Sequence, residues 1–104
     1  MSIMSRENLQ LILEGVLGSR NVYFQPPSNL KLKYPCIVYS MDRVATLTAN
    51  NTVYKINHYY AITLITTNAD NDVVDKIVQL PFCAFDRSYV SDGLYHYSFS
   101  LYYR

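Results

Sequence analysis

The sequence predicts an α+β domain: a four- to five-stranded antiparallel sheet with two helices packed on one face and one long β-hairpin projecting from it. Three stretches carry that expectation. KINHYYAITLITT, Lys55 to Thr67, places Ile56, His58, Tyr60, Ile62 and Leu64 on one side and Lys55, Asn57, Tyr59, Ala61 and Thr63 on the other. That is the period of a strand with one largely apolar face, in β-branched and aromatic residues with no Pro or Gly to break the ladder. The closing run sets Tyr95, Tyr97, Phe99, Leu101 and Tyr103 against His96, Ser98, Ser100, Tyr102 and Arg104 in the same way. Leu9, Ile12, Leu13, Val16 and Leu17 instead recur at helical spacing and make one apolar stripe.

Taken in order, the first helix is expected over about 5–17. Ser5 suits its N-cap, Glu7 its first turn, and Gly18 its left-handed stop. Gly15 inside it costs about 1 kcal/mol relative to Ala, so it reads either as a close approach to the sheet or as an earlier end. A contact loop of about 19–34 follows. Val22 to Phe24 in it reads as a short edge strand, while Pro26 and Pro27 forbid a regular ladder. The strand CIVYSMDR begins at Cys36, continues through small and polar residues to Asn50-Asn51, and returns through the central strand. Consecutive Asn residues tolerate the positive φ of a tight turn, so about 36–67 forms one hairpin. Its tip is too weakly apolar for the core and should project.

After Asn68–Asp72, in which Asp70 or Asn71 can act as cap, Val73, Val74, Ile77 and Val78 mark a second helix of about 71–80 that Pro81 ends. So short a β-branched helix needs a sheet beneath it. Asp92-Gly93 then signals the turn of a C-terminal hairpin of about 83–103. Short connections imply antiparallel pairing with both helices on one face. The other face should carry Tyr59 and either Tyr95 or Tyr102.

The 104 residues suffice for one domain with one core. Only 16 % are charged, yet 11 are tyrosines. Tyrosine is amphipathic and enriched at interfaces, so part of this surface is expected to meet other chains, although core-edge tyrosines with wet hydroxyls are the plainer account of any single one. A net charge of +1 gives no support for strong attraction to nucleic acid or anionic lipid. No apolar run approaches a membrane span and nothing at the start reads as a signal peptide, so the chain is expected to be made and kept in a cytoplasm, with no membrane association.

No stretch carries catalytic chemistry, a cofactor site or a metal site. His58 and His96 stand on different strands without a nucleophile elbow or a second ligand at metal spacing. The three glycines are scattered, so there is no phosphate loop. Cys36 and Cys83 lack any CxxC or metal spacing and are expected to be reduced, buried, small hydrophobes. Asp42-Arg43 and Asp86-Arg87 invite an ion-pair reading, but strand neighbours face opposite ways, so each residue should reach other partners instead. Across an interface such charges can fix register.

The runs YPCIVYSMDR, YKINHYYAITLIT and LPFCAFDRSYVSDGLYHYSFSLYY, in that order over Tyr34 to Arg104, resemble small tail-completion (tail-terminator) proteins of tailed bacteriophages and prophages. The YPCIVYS and DGLYHYSFSLYY strands are the most specific parts. The resemblance implies an α+β subunit of a ring, a hexamer by the family pattern, that caps the head-proximal end of the tail tube, stops its growth and meets the neck or head-completion proteins. It implies a virion protein assembled in the host bacterial cytoplasm. It implies no catalytic residues and no cofactor.

A closed ring needs one patch to meet a different one. The expected subunit-interface residues are Arg43, Thr46, Thr48, Asn50, Asn51, Tyr59, Arg87, Tyr95 and Tyr102, and the Ser19 to Tyr34 loop is the second candidate surface. DNA would pass through the lumen without being read, so Lys31 and Lys33 are candidates for lumen or neck contact. The rival from another class is a small nucleic-acid-binding or regulatory domain whose exposed tyrosines stack on bases. A small enzyme of unrecognised type, relying on His58 or His96, is the third.

Overall fold

The computed structural model describes residues 6–49, 52–68 and 72–103. Helix α1 (Arg6–Leu17) is followed by strands β1 (Val22–Phe24), β2 (Cys36–Ala49) and β3 (Thr52–Thr66), helix α2 (Val73–Val78), and strands β4 (Cys83–Ser91) and β5 (Leu94–Tyr103). The fold is α+β, with a five-stranded sheet in the order β1-β2-β3-β5-β4. The caps expected at Ser5, Asp70 or Asn71 and the turn at Asn50-Asn51 lie outside the described residues.

The alternation read from the sequence sets the core. Ile37 and Tyr39 of β2, Tyr60, Ile62 and Leu64 of β3, and Phe99 and Leu101 of β5 face one way and are buried under Leu9 and Leu13 of α1 and Val73 and Ile77 of α2. Burying each such side chain contributes roughly 1.5–3 kcal/mol relative to leaving it exposed, which is what holds a short helix such as α2 in place. Beneath α1, Phe24, Tyr39 and Tyr60 form an aromatic cluster with ring centroids 5.0 to 6.5 Å apart. The buried Tyr39 hydroxyl donates to Gln10 Oε1 at 2.6 Å. The Gln10 amide donates to Glu14 Oε2 and to the Val22 carbonyl, each at 2.9 Å. This chain of bonds ties the helix to β1.

Several boundaries and contacts differ from the sequence expectation. The sheet is mixed: β1 runs parallel to β2, with Val22 opposite Ile37 and Phe24 opposite Tyr39, while every other pairing is antiparallel. A parallel neighbour needs a crossover. Residues 25–35 supply it by passing over the sheet face that the helices leave open. Gly15 neither approaches the sheet nor ends the helix; it is exposed, and an added Cβ would meet nothing within 4 Å. The helix stops at Gly18, whose φ of 83° takes the left-handed region and whose N–H donates to the Glu14 carbonyl. Ile12 belongs to the apolar stripe in spacing yet is 40 % exposed, because at 3.6 residues per turn it sits on the flank of the stripe that Leu9 and Leu13 centre. Helix α2 is shorter than expected, since Leu80 bonds back to Ile77 in a tighter turn before Pro81.

The long hairpin projects. β5 pairs with β3 only from Thr66 to His58, and β1 covers β2 only from Ile37 to Tyr39. Thr52 to Asn57 therefore pair with β2 alone. At ~3.3 Å per residue that leaves a two-stranded ribbon reaching roughly 20 Å past the body of the sheet. The molecule measures 51 × 28 × 23 Å accordingly.

Candidate functional site

The open face of the sheet concentrates the exposed aromatic and cationic side chains. Tyr59 and Tyr102 are register partners on β3 and β5, and their rings pack tilted at 37° with centroids 5.0 Å apart. The Arg43 guanidinium lies 4.1 Å above the Tyr59 ring, and Phe82 packs against Tyr102 at 5.7 Å. A second stack follows from the Asp92-Gly93 turn, which sets Tyr89 opposite His96. Their rings lie 4.8 Å apart and nearly parallel at 14°, with Arg87 5.2 Å from the Tyr89 ring. His96 Nδ1 donates to the Leu94 carbonyl at 3.1 Å, which places the ring proton on Nδ1 in the neutral form.

These cation–ring contacts lay two arginines along the sheet while both remain exposed. They also occupy ring faces. Tyr59 has Arg43 on one side and Tyr102 beside it, so it is not presented as an open platform for a base.

Both Asp-Arg pairs sit at β-bulges. The register shifts between Met41 and Arg43 on β2, and between Phe85 and Arg87 on β4. An inserted residue brings two consecutive side chains to one side, so both members of each pair emerge on the open face rather than on opposite faces. Neither pair closes on itself. Arg43 and Arg87 cover rings, and Asp86 Oδ2 accepts from the Ser100 hydroxyl at 2.8 Å.

One end of the open face is roofed by the crossover loop. Pro26, Leu30 and Leu32 lie against Val38, Ile65 and His96 and leave a shallow groove of about 320 Å³. The loop thus packs on its own sheet, which is why Cys36 is fully buried. Met41 N–H donates to Gln25 Oε1, and Lys33 N–H to the Tyr23 hydroxyl, fixing the loop at both ends. Lys31 and Lys33 remain exposed.

Both cysteines are free. Burial pushes the Cys36 thiol up to about 11. Burial, with Asp86 adding to it, does the same for Cys83. Both are thiols at neutral pH and poor nucleophiles. Among the described residues no group of three His, Cys, Asp or Glu side chains is placed to hold a metal ion. Among the same residues no helix is long and apolar enough to cross a membrane.

Of the residues singled out in the sequence, the structure brings Arg43, Tyr59 and Tyr102 into one stack and places Arg87 in a second on the same face. Tyr95 pairs with Thr66 at the far end of β5 and shares the face of Tyr97 and Phe99, so Tyr102 is the tyrosine of β5 that joins Tyr59. Thr46 is exposed on the ribbon, Thr48 lies on β2 nearer the tip, and Asn50 and Asn51 lie outside the described residues. Phe82 and Tyr89 were not singled out, and His96 only as a candidate for catalysis. Counting back from a two-residue Asp92-Gly93 turn finds the Tyr89–His96 pair. Phe82 is hidden from such counting by the bulge at Asp86.

No protein-family model matches this chain, and no curated protein is similar to it.

Proposed function

We propose that this chain is a structural virion protein of a tailed phage or prophage. In this reading it forms a homo-oligomeric ring at the head-proximal end of the tail tube, where it terminates the tail and meets the neck proteins. The observation that carries the reading is the ribbon of β2 and β3, which leaves the body of the sheet with no third strand on either side among the described residues. Exposed strand edges of that length invite pairing, and isolated soluble domains blunt them with charge, proline or cover. The ribbon from Val44 to Asn57 carries one charged residue, Lys55, and no proline. A ring neighbour supplies the cover.

The resemblance of the YPCIVYS and DGLYHYSFSLYY strands to tail-completion proteins supplies the kind of assembly. The two arginine-capped stacks supply rigid, amphipathic surface of the sort that interfaces favour. In the ring, the tail-tube protein meets one rim and the neck proteins the other. DNA passes through the lumen without sequence reading, with Lys31 and Lys33 as candidates to face it. Light scattering of the purified chain, alone and with tail-tube protein, combined with negative-stain imaging, tests this reading. Annular particles that stop tube growth support it, and a chain that stays monomeric in both settings overturns it.

A further inference from the structure

We infer that the free outer edge of β2 in one copy of the chain pairs antiparallel with the free outer edge of β4 in the next copy, with Asp42 opposite Arg87 and Arg43 opposite Asp86. This rests on the ring reading and names the surfaces that join its subunits.

The edges are available over Asp42–Thr46 of β2 and Cys83–Arg87 of β4. Beyond Arg87 the same register carries Val90 and Ser91 to the positions that β1 holds against Tyr39 and Val38, so the Asp92-Gly93 end of that hairpin bends clear of β1. β4 closes the sheet, and Ala84 to Ser91 are all exposed, with Phe85 46 % and Val90 63 % accessible. On β2, β1 ends opposite Tyr39, and the Gln25 side chain takes the Met41 N–H. From Asp42 onward no strand among the described residues covers the outer edge.

The backbone groups match. Along an antiparallel strand they point alternately to the two neighbours. Tyr102 N–H donates to the Phe82 carbonyl, so Phe82 and Ala84 turn toward β5 while Cys83 and Phe85 turn outward; the Cys83 N–H is taken by the Leu80 carbonyl, so Cys83 offers only its carbonyl to a neighbour. Gln25 N–H donates to the Tyr39 carbonyl, so Tyr39 and Met41 turn outward on β2. The bulge at Asp42 shifts this phase by one residue, which turns Val44 and Thr46 outward. In the register that sets Asp42 against Arg87, Val44 falls opposite Phe85 and Thr46 opposite Cys83. Each outward residue then meets an outward residue.

The side chains match as well. Arg43, Asp86 and Arg87 lie on the open face, while Val44 and Phe85 share the helix-bearing face through their partners His58 and Phe99. The same register therefore joins like faces and adds an apolar Val44–Phe85 contact between two half-exposed side chains. Antiparallel apposition of the two Asp-Arg pairs sets opposite charges together, whereas parallel in-register pairing sets Asp on Asp and Arg on Arg. Charges that would shield each edge from random pairing thus become the device that admits one partner. The contact joins two different surfaces, so it propagates head to tail and can close into a ring.

Charge reversal tests this with the full chain, read by light scattering over a concentration series, with melting curves to verify folding. R87D and D42R should each weaken self-association at least ~10-fold by placing like charges together. The double variant D42R/R87D should recover to within ~3-fold of wild type. An equimolar mixture of the two single variants should also regain assembly, because each supplies the edge the other lacks. Wild-type-like association of both single variants, or failure of both the double variant and the mixture to recover, overturns the edge pairing while the ring reading stands. A wild-type chain that is monomeric at every concentration overturns both.

Discussion

Tyr59 and Tyr102 face each other across β3 and β5 with ring centroids 5.0 Å apart, and Arg43 caps the pair 4.1 Å above Tyr59. Neither ring belongs to the core beneath the helices. They nonetheless tie the free end of β5 to the root of the ribbon, where β3 loses its second neighbour. A double-mutant cycle of Tyr59→Ala and Tyr102→Ala in urea unfolding should return a coupling of about 0.5–1.5 kcal/mol, the range for aromatic pairs. A coupling near zero would mean that the two rings share a surface without supporting each other.

Gly15 is the one position at which a simple change should strengthen the domain. It sits in the middle of α1, is exposed, and has open space where a Cβ would go. Gly15→Ala should stabilise by about 0.5–1 kcal/mol through helix propensity and a less flexible unfolded chain. A midpoint shift to higher urea at unchanged slope is the expected readout.

The thiols set an alkaline limit. Cys36 has an ordinary value of 9.0 and is pushed up to about 11 by burial. Cys83 behaves alike. The unfolded chain therefore releases these protons at lower pH than the folded one. Their contribution is fully present below pH 9 and is lost as pH rises toward 11. Urea midpoints measured across that window should fall under reducing conditions. Cys36→Ala, although less stable at neutral pH, should show a shallower decline.

Much of this architecture could be read from the chain. The alternation of Tyr60, Ile62 and Leu64, the Asp92-Gly93 turn and the Leu9–Leu13 stripe located the sheet, the last hairpin and the first helix, because each is a local pattern with a fixed period. What escaped reading depends on neighbours distant in sequence. Val22 to Phe24 is too short to reveal that it runs parallel to β2, so the reason the loop crosses the open face was hidden too. The last strand is aromatic on both sides, and only packing under α2 decides that Phe99 turns inward and Tyr102 outward. Asp42-Arg43 and Asp86-Arg87 look like ordinary strand residues, since a bulge leaves no period of its own. The Phe82–Tyr102 contact follows from that shifted register.

The ribbon should be dispensable for folding and required for association. Among the described residues, every core residue lies outside it. Excising residues 46–56 and joining Ala45 to Asn57 through Asn-Gly should shift the melting temperature by no more than about 4–8 °C, the equivalent of roughly 1 kcal/mol in a domain of this size. Self-association, followed by light scattering, should be lost. Loss of cooperative melting would instead assign the ribbon to the folding unit.

The mass of the purified wild-type chain in solution bears most directly on the central claim. Light scattering across concentrations, with images of the same sample, should give one closed oligomer several times the 12.0 kDa subunit, with an open centre. A 12.0 kDa monomer at every concentration, unchanged by tail-tube protein, would contradict the account.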